Sequence, residues 1–88
     1  MAYIVAYQPR LIQRNEALIN AVRSYQQWAI LSSWSYLINQ KEATTDGIRD
    51  HLSRFCKPGD KIFVAELQRN AAWASLPEDV SLWIQDNL

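Results

Sequence analysis

The spacing of apolar residues changes several times along this chain, and each change marks an element. Ala2 to Tyr7 (AYIVAY) is a short apolar run rich in Tyr, Ile and Val, stopped by Pro9, which has no N–H to give a strand ladder. It predicts a buried strand. After the loop Gln8–Gln13, Leu18, Ala21, Val22 and Tyr25 recur at helical spacing, with Arg14, Asn20, Arg23 and Gln26 between them. One apolar stripe beside one wet face predicts a helix over roughly Asn15–Gln26.

From Gln27 to Asn39 the chain reads QWAILSSWSYLIN, dense in aromatic and β-favouring residues and interrupted by Ser32 and Ser33. Two strands joined by a tight turn, or one long bulged strand, account for it equally well. Thr44, Thr45 and Asp46 offer capping side chains ahead of Ile48, Leu52, Phe55 and Cys56, whose i, i+4, i+7, i+8 spacing predicts a second amphipathic helix ending at Pro58-Gly59. Lys61–Leu67 (KIFVAEL) reads as a further strand. In the tail, Ser75 and Glu78 match a capping box, Pro77 falls in the first turn, and Leu76, Val80, Trp83 and Ile84 share a face, which predicts a short C-terminal helix.

The resulting order, strand, helix, strand, strand, helix, strand, is that of an α+β ferredoxin-like fold, a βαββαβ split βαβ sandwich with both helices on one face of an antiparallel sheet. The chain is then one domain, 1–88, with a core over 1–67 and a C-terminal extension over 68–88 that covers the sheet or a partner subunit. Eighty-eight residues suit one domain and not two. So short a chain buries only about 60% of its unfolded surface, which makes self-association an expectation from the start.

Composition narrows the classes. The single cysteine, Cys56, can form neither an intrachain disulfide nor a thiolate zinc site, and a reducing cytoplasm is the expected compartment. The uncharged stretch Ser24–Gln40 holds Gln, Ser and Asn residues throughout, unlike a spanning helix, and no export signal is expected in the first residues. The formal net charge is zero, yet up to Lys41 four basic groups face one acidic group, and from Glu42 onward five basic groups face eight acidic ones. These opposite halves could steer two copies together, and they weaken the case for a broad nucleic-acid surface.

Candidate chemistry is sparse. Gly47 and Gly59 are too few and too far apart for a phosphate-cradling loop, so nucleotide fingerprints are absent and no cofactor is expected. His51 borders the stripe of the second helix and Cys56 lies on it; both are expected to be structural. Asp46, Asp50, Asp60, Glu78 and Asp79 are placed for caps, helix faces and turns, and Glu66 lies on the last strand, so no metal site is expected. Trp28, Trp34, Tyr36, Trp73 and Trp83 are a heavy aromatic load for this length and are the candidate interface residues, since Trp and Tyr join large apolar area to a polar handle. Gln8, Arg10, Arg14 and Arg23 are the candidate nucleic-acid contacts, on the loop after the first strand and the exposed side of the first helix.

The opening AYIVAYQ, the Tyr25-x-x-Trp28 entry to the middle strands, the Ser33-Trp34 step and Ile48-Arg49-Asp50 are similar to segments of a known family. So are KIFVAEL followed by Asn70-Ala71-Ala72-Trp73, and the closing Trp83-Ile84 with Asn87-Leu88. Over nearly its whole length the chain resembles the small ferredoxin-like proteins called SinR-type (not the helix-turn-helix repressor), relatives of the CRISPR-associated Cas-two family and of the VapD ribonucleases. The resemblance implies a homodimer of paired sheets, with the C-terminal segment crossing onto the partner, in a setting near bacterial or phage nucleic-acid defence. Nuclease members of that wider family carry an aspartate straight after the first strand's tyrosine; here Gln8 stands at that position. A neutral amide is a poor magnesium ligand and no general base, which argues against metal-dependent cleavage.

The leading expectation is therefore a cytoplasmic, homodimeric, non-catalytic binding or scaffolding protein, with RNA, DNA or another protein as further partner and no membrane association. The alternatives are a ribonuclease or DNase using Gln8, Arg10 and Ser32 or Ser33 at a dimer cleft, and a regulator that binds a small nucleotide or a protein through the sheet face.

Overall fold

A computed structural model describes residues 1–88. The first strand, β1 (Ala2–Gln8), alternates as a half-buried strand must: Tyr3, Val5 and Tyr7 point into the main core, and Ile4, Ala6 and Gln8 point the other way. Helix α1 (Glu16–Arg23) starts where the Asn15 side chain accepts the Leu18 N–H and ends with Ser24. It stops short of the expected Gln26, because the Gln26 N–H donates to the Gln40 side chain and Gln27 already pairs with Asn39. Sheet pairing wins over the last turn of helix.

The segment Gln27–Asn39 forms two strands, β2 (Gln27–Ser32) and β3 (Ser35–Asn39), turning at Ser33-Trp34 and carrying a bulge between Ile30 and Ser32. The two-strand alternative holds and the single long strand does not, since the segment folds back and pairs with itself. Helix α2 (Thr45–Ser53) is capped by Thr44, whose hydroxyl accepts the Gly47 N–H. It ends before Pro58-Gly59, since Arg54, Phe55 and Cys56 donate three residues back and so tighten the last turn. Strand β4 (Lys61–Leu67) has the bounds read from KIFVAEL.

Helix α3 (Glu78–Asn87) closes the chain without the expected capping box. Ser75 takes a left-handed conformation, φ 63°, outside the helix start, and Pro77 occupies the cap itself with no side-chain bond. A proline-led start needs no N–H there, and Glu78 and Asp79 still favour the positive end of the helix.

The sheet runs β2-β3-β1-β4 with every neighbour antiparallel, the split βαβ arrangement expected of an α+β ferredoxin-like fold. Helices α1 and α2 cover one face, where Val5, Leu18, Val22, Ile38, Ile48 and Leu52 form the main core. On the outer face a smaller cluster joins Val80 and Ile84 of α3 to Ala29 and Leu37. The tail therefore folds onto its own sheet, and Asn39 Nδ2 ties it there by donating to Asn87 Oδ1 at 2.9 Å. The rest of the outer face, around Ala6 and Phe63, is open, and Phe63 is 64% exposed. No helix is long and apolar enough to cross a membrane.

Candidate basic end of the sheet

A mostly polar pocket lies where β1 ends and β4 begins. Gln8 pairs with Lys61 in register, so the loop leaving β1 and the turn entering β4 meet at one sheet end. The turn is Lys57-Pro58-Gly59-Asp60, closed by Asp60 N–H donating to the Lys57 carbonyl at 3.0 Å. Proline at its second position and Gly59 at its third, φ 88°, are the type II pattern, which requires a residue that tolerates positive φ. A Cβ on Gly59 would run into Arg10 Cδ, so the missing side chain also makes room for Arg10 to lie along the turn.

Asp60 joins the two segments. Its carboxylate accepts from Tyr7 Oη at 2.6 Å, from Arg10 N–H at 2.9 Å and from Lys57 N–H at 2.9 Å. The Tyr7 hydrogen bond, with the two backbone N–H groups after it, holds the carboxyl below its ordinary range. Tyr7 is pushed up to about 12, chiefly by burial, with Asn15 working against the rise and Asp60 adding to it. Asn15 completes the chain: its Nδ2 donates to Tyr7 Oη at 3.2 Å and to the Phe55 carbonyl at 2.8 Å, while its oxygen caps α1. One connected set of bonds thus fixes β1, α1, the end of α2 and the turn before β4.

Two openings flank Tyr7. A small one of about 60 Å³ is lined by Arg10, Gln13, Asn15, Lys57 and Asp60 among others. A wider one of about 310 Å³ lies at the rim of the sheet between Gln8, Lys61, Trp34 and Phe63. Trp34, half-buried in the turn between β2 and β3, stands against Tyr7 with ring centroids 6.1 Å apart. The end of the sheet thus presents three cations, Arg10, Lys57 and Lys61, beside two aromatic rings. Next to them the loop exposes Leu11 and Ile12, the latter at 85%.

Of the candidate nucleic-acid contacts, Gln8 and Arg10 belong to this end. The Gln8 amide has one weak contact, to the neighbouring Pro9 carbonyl at 3.5 Å, so it remains open to a ligand. Arg14 is paired with Glu16 at the surface and acts on the Tyr36 hydroxyl, whose pKa burial raises and Arg14 lowers. Arg23 lies at the other end of α1, its guanidinium 5.4 Å from the Trp28 ring centre, and does not join the cluster. Lys57 and Lys61 are not among the candidate contacts read from sequence, and Asp60 is read there only as one of the acidic residues placed for caps, helix faces and turns. The Pro-Gly-Asp turn immediately before a strand was the available signal, since an aspartate there commonly bonds nearby backbone.

The interface candidates divide likewise. Tyr36 is 1% exposed in the main core, its hydroxyl directed at the Ser33 carbonyl, and it is corrected to a core residue. Its register opposite Val5 puts it on the helix-covered face, which a period-two pattern within an aromatic run does not distinguish. Trp28 lies at the sheet edge under Arg23 and Trp34 at the basic end. Trp73 donates to Ser81 Oγ at 2.9 Å, and Trp83 packs into the outer cluster with its indole nitrogen buried and unpaired.

The remaining polar groups fit structural roles. His51 Nδ1 is 2.7 Å from Tyr25 Oη, and its ring makes edge contacts with Tyr25 and Phe55. Burial, with help from Asp60, pushes the Cys56 thiol up, away from the reactive thiolate. No three His, Cys, Asp or Glu side chains converge as metal ligands. No family model matches this chain, and no curated protein matches it.

Proposed function

We propose that this protein is a homodimeric, non-catalytic binding module that holds a single-stranded nucleic acid at the basic end of its sheet. The observation that carries this reading is the grouping of Gln8, Arg10, Lys57 and Lys61 beside the half-buried ring of Trp34 and the exposed ring of Phe63. Cations that follow a phosphate chain, next to rings on which bases stack, are the elements of sequence-tolerant single-strand binding.

Binding without cleavage is supported by the state of the local acid and base. Asp60 is engaged by three donors, Tyr7 keeps its proton to high pH, and Gln8 occupies the position where nuclease relatives of the SinR-type group carry aspartate. Pairing of two copies is supported by the open outer half-face around Phe63 and by the opposite charges of the two halves of the chain. A cytoplasmic setting follows from the same reading.

The test is fluorescence anisotropy with a labelled single-stranded oligonucleotide across a salt series, together with sedimentation velocity of the protein alone and in complex. The expected result is a dimer that binds without shortening the strand. Arg10→Gln and Lys61→Gln should each weaken binding and reduce the salt slope by about 0.7. A protein that stays monomeric and leaves anisotropy unchanged would refute the reading. Cleavage that survives repurification and falls in Gln8→Ala would replace it with the nuclease alternative.

A further inference from the structure

Away from the basic end, the tail leaves a half-open apolar groove between itself and the sheet instead of filling it. Between the outer sheet face, the irregular segment 68–77 and α3 lies a cavity of about 170 Å³ lined entirely by apolar side chains, among them Ile4, Leu31, Leu37, Leu76 and Ile84. Its wall is almost devoid of polar atoms, so water entering it would find too few partners to hydrogen-bond. An apolar guest lying in it would take both its own surface and that of the lining side chains out of water.

The cavity has a mouth. Ala71, Trp73, Ile84 and Leu88 also line a second, more open space of about 280 Å³, whose polar lining is Arg69 and Gln85. Arg69 forms no salt bridge, unlike Arg14 and Arg49, which are paired at the surface. An apolar chamber thus opens onto a free guanidinium and an amide. Trp73 forms one wall of both spaces and is held to α3 by its bond to Ser81, which fixes the ring between them.

We infer that this chamber binds an amphipathic carboxylate, a medium-chain acyl or comparable apolar acid, with its tail between α3 and the sheet and its carboxylate on Arg69. A guanidinium matches a carboxylate with two parallel bonds, and Gln85 supplies a further donor. The apolar chamber sets the guest's width and chemistry, and the charge at the mouth sets its orientation. The site shares no residue with the basic end, so the inference does not rest on the nucleic-acid reading.

The experiment is thermal unfolding and isothermal titration of the full chain with decanoate, decanol and decylamine, each below its aggregation concentration. Decanoate should raise the melting temperature in proportion to the logarithm of its concentration, decanol less, and decylamine not at all. Arg69→Gln should weaken decanoate by about tenfold while leaving decanol unchanged, the loss expected for one charge-assisted contact. Ala71→Trp, which plugs the passage between the two spaces, should abolish both responses while circular dichroism reports an intact fold. Absence of any decanoate response in the parent protein would overturn the inference. So would a response that Ala71→Trp leaves in place, a preference for decylamine, or equal binding of acid and alcohol that Arg69→Gln does not alter.

Discussion

Tyr7→Phe removes a single oxygen from the centre of the bond network at the basic end. That hydroxyl donates to the Asp60 carboxylate at 2.6 Å and accepts from Asn15 at 3.2 Å. A hydrogen bond to a charged acceptor contributes about 1.5–3 kcal/mol. Two features favour the low end: Asp60 keeps its bonds to the Arg10 and Lys57 backbone at the solvent edge, and Asn15 keeps the Phe55 carbonyl. The expected loss is about 1–2 kcal/mol at neutral pH, read as a fall of about 1 M in the urea midpoint followed by tryptophan fluorescence.

The pH dependence makes this prediction specific. Asp60 has a folded pKa lowered from 3.8, so its contribution is present above the unfolded value and is lost as pH falls through the folded one. Tyr7 is raised from 10.0 to about 12, so its contribution is present below the unfolded value and is lost as pH rises between those two values. The difference between parent and Tyr7→Phe should therefore form a plateau through neutral pH that shrinks at both acidic and strongly alkaline pH. Equal midpoints at neutral pH would refute the claim that this bond ties β1 to the turn, and a gap that persists undiminished in acid would refute the assignment of Asp60 as its partner.

Gly59→Ala should destabilise the protein by about 1–2 kcal/mol, because the positive φ is strained for any Cβ and Arg10 must move; a melting temperature equal to the parent's would contradict this. Trp83→Phe removes a buried indole N–H that has no partner, so despite the smaller ring it should cost less than about 1 kcal/mol in urea unfolding; a larger loss would mean the nitrogen is bonded. Leu52→Ala, fully buried between α2 and the sheet, should cost about 2–5 kcal/mol in the same assay, and a loss below that range would show that the helix layer repacks freely.

Periodicity along the chain was enough to locate β1, β4 and the three helices, while the choice between one and two strands over Gln27–Asn39 was made by the pairing of β2 with β3. AYIVAY and KIFVAEL became β1 and β4, the stripes through Leu18 and Leu52 became α1 and α2, and their alternation specified the split βαβ sheet. These signals are local, since side chains repeat every two or 3.6 residues whatever they meet later. Element ends were less legible where a distant partner competed, as at Gln26, where Gln40 captures the N–H that α1 would have used. The Ser75–Glu78 capping pattern failed for a similar reason, because the path of the tail over the sheet places Ser75 in a left-handed conformation. Arg10 and Gln8 were readable as exposed polar residues on a loop, whereas the role of Asp60 required knowing that the chain returns 53 residues later beside Tyr7. Tyr36 takes a core position through its register with Val5 of β1, whereas Trp34, two residues earlier, lies outside the paired strand in the β2–β3 turn and only borders that core. Which face α3 covers, and the apolar space it leaves beneath it, belong wholly to the tertiary structure, since packing between distant segments decides what volume is filled and hydropathy alone carries no record of it.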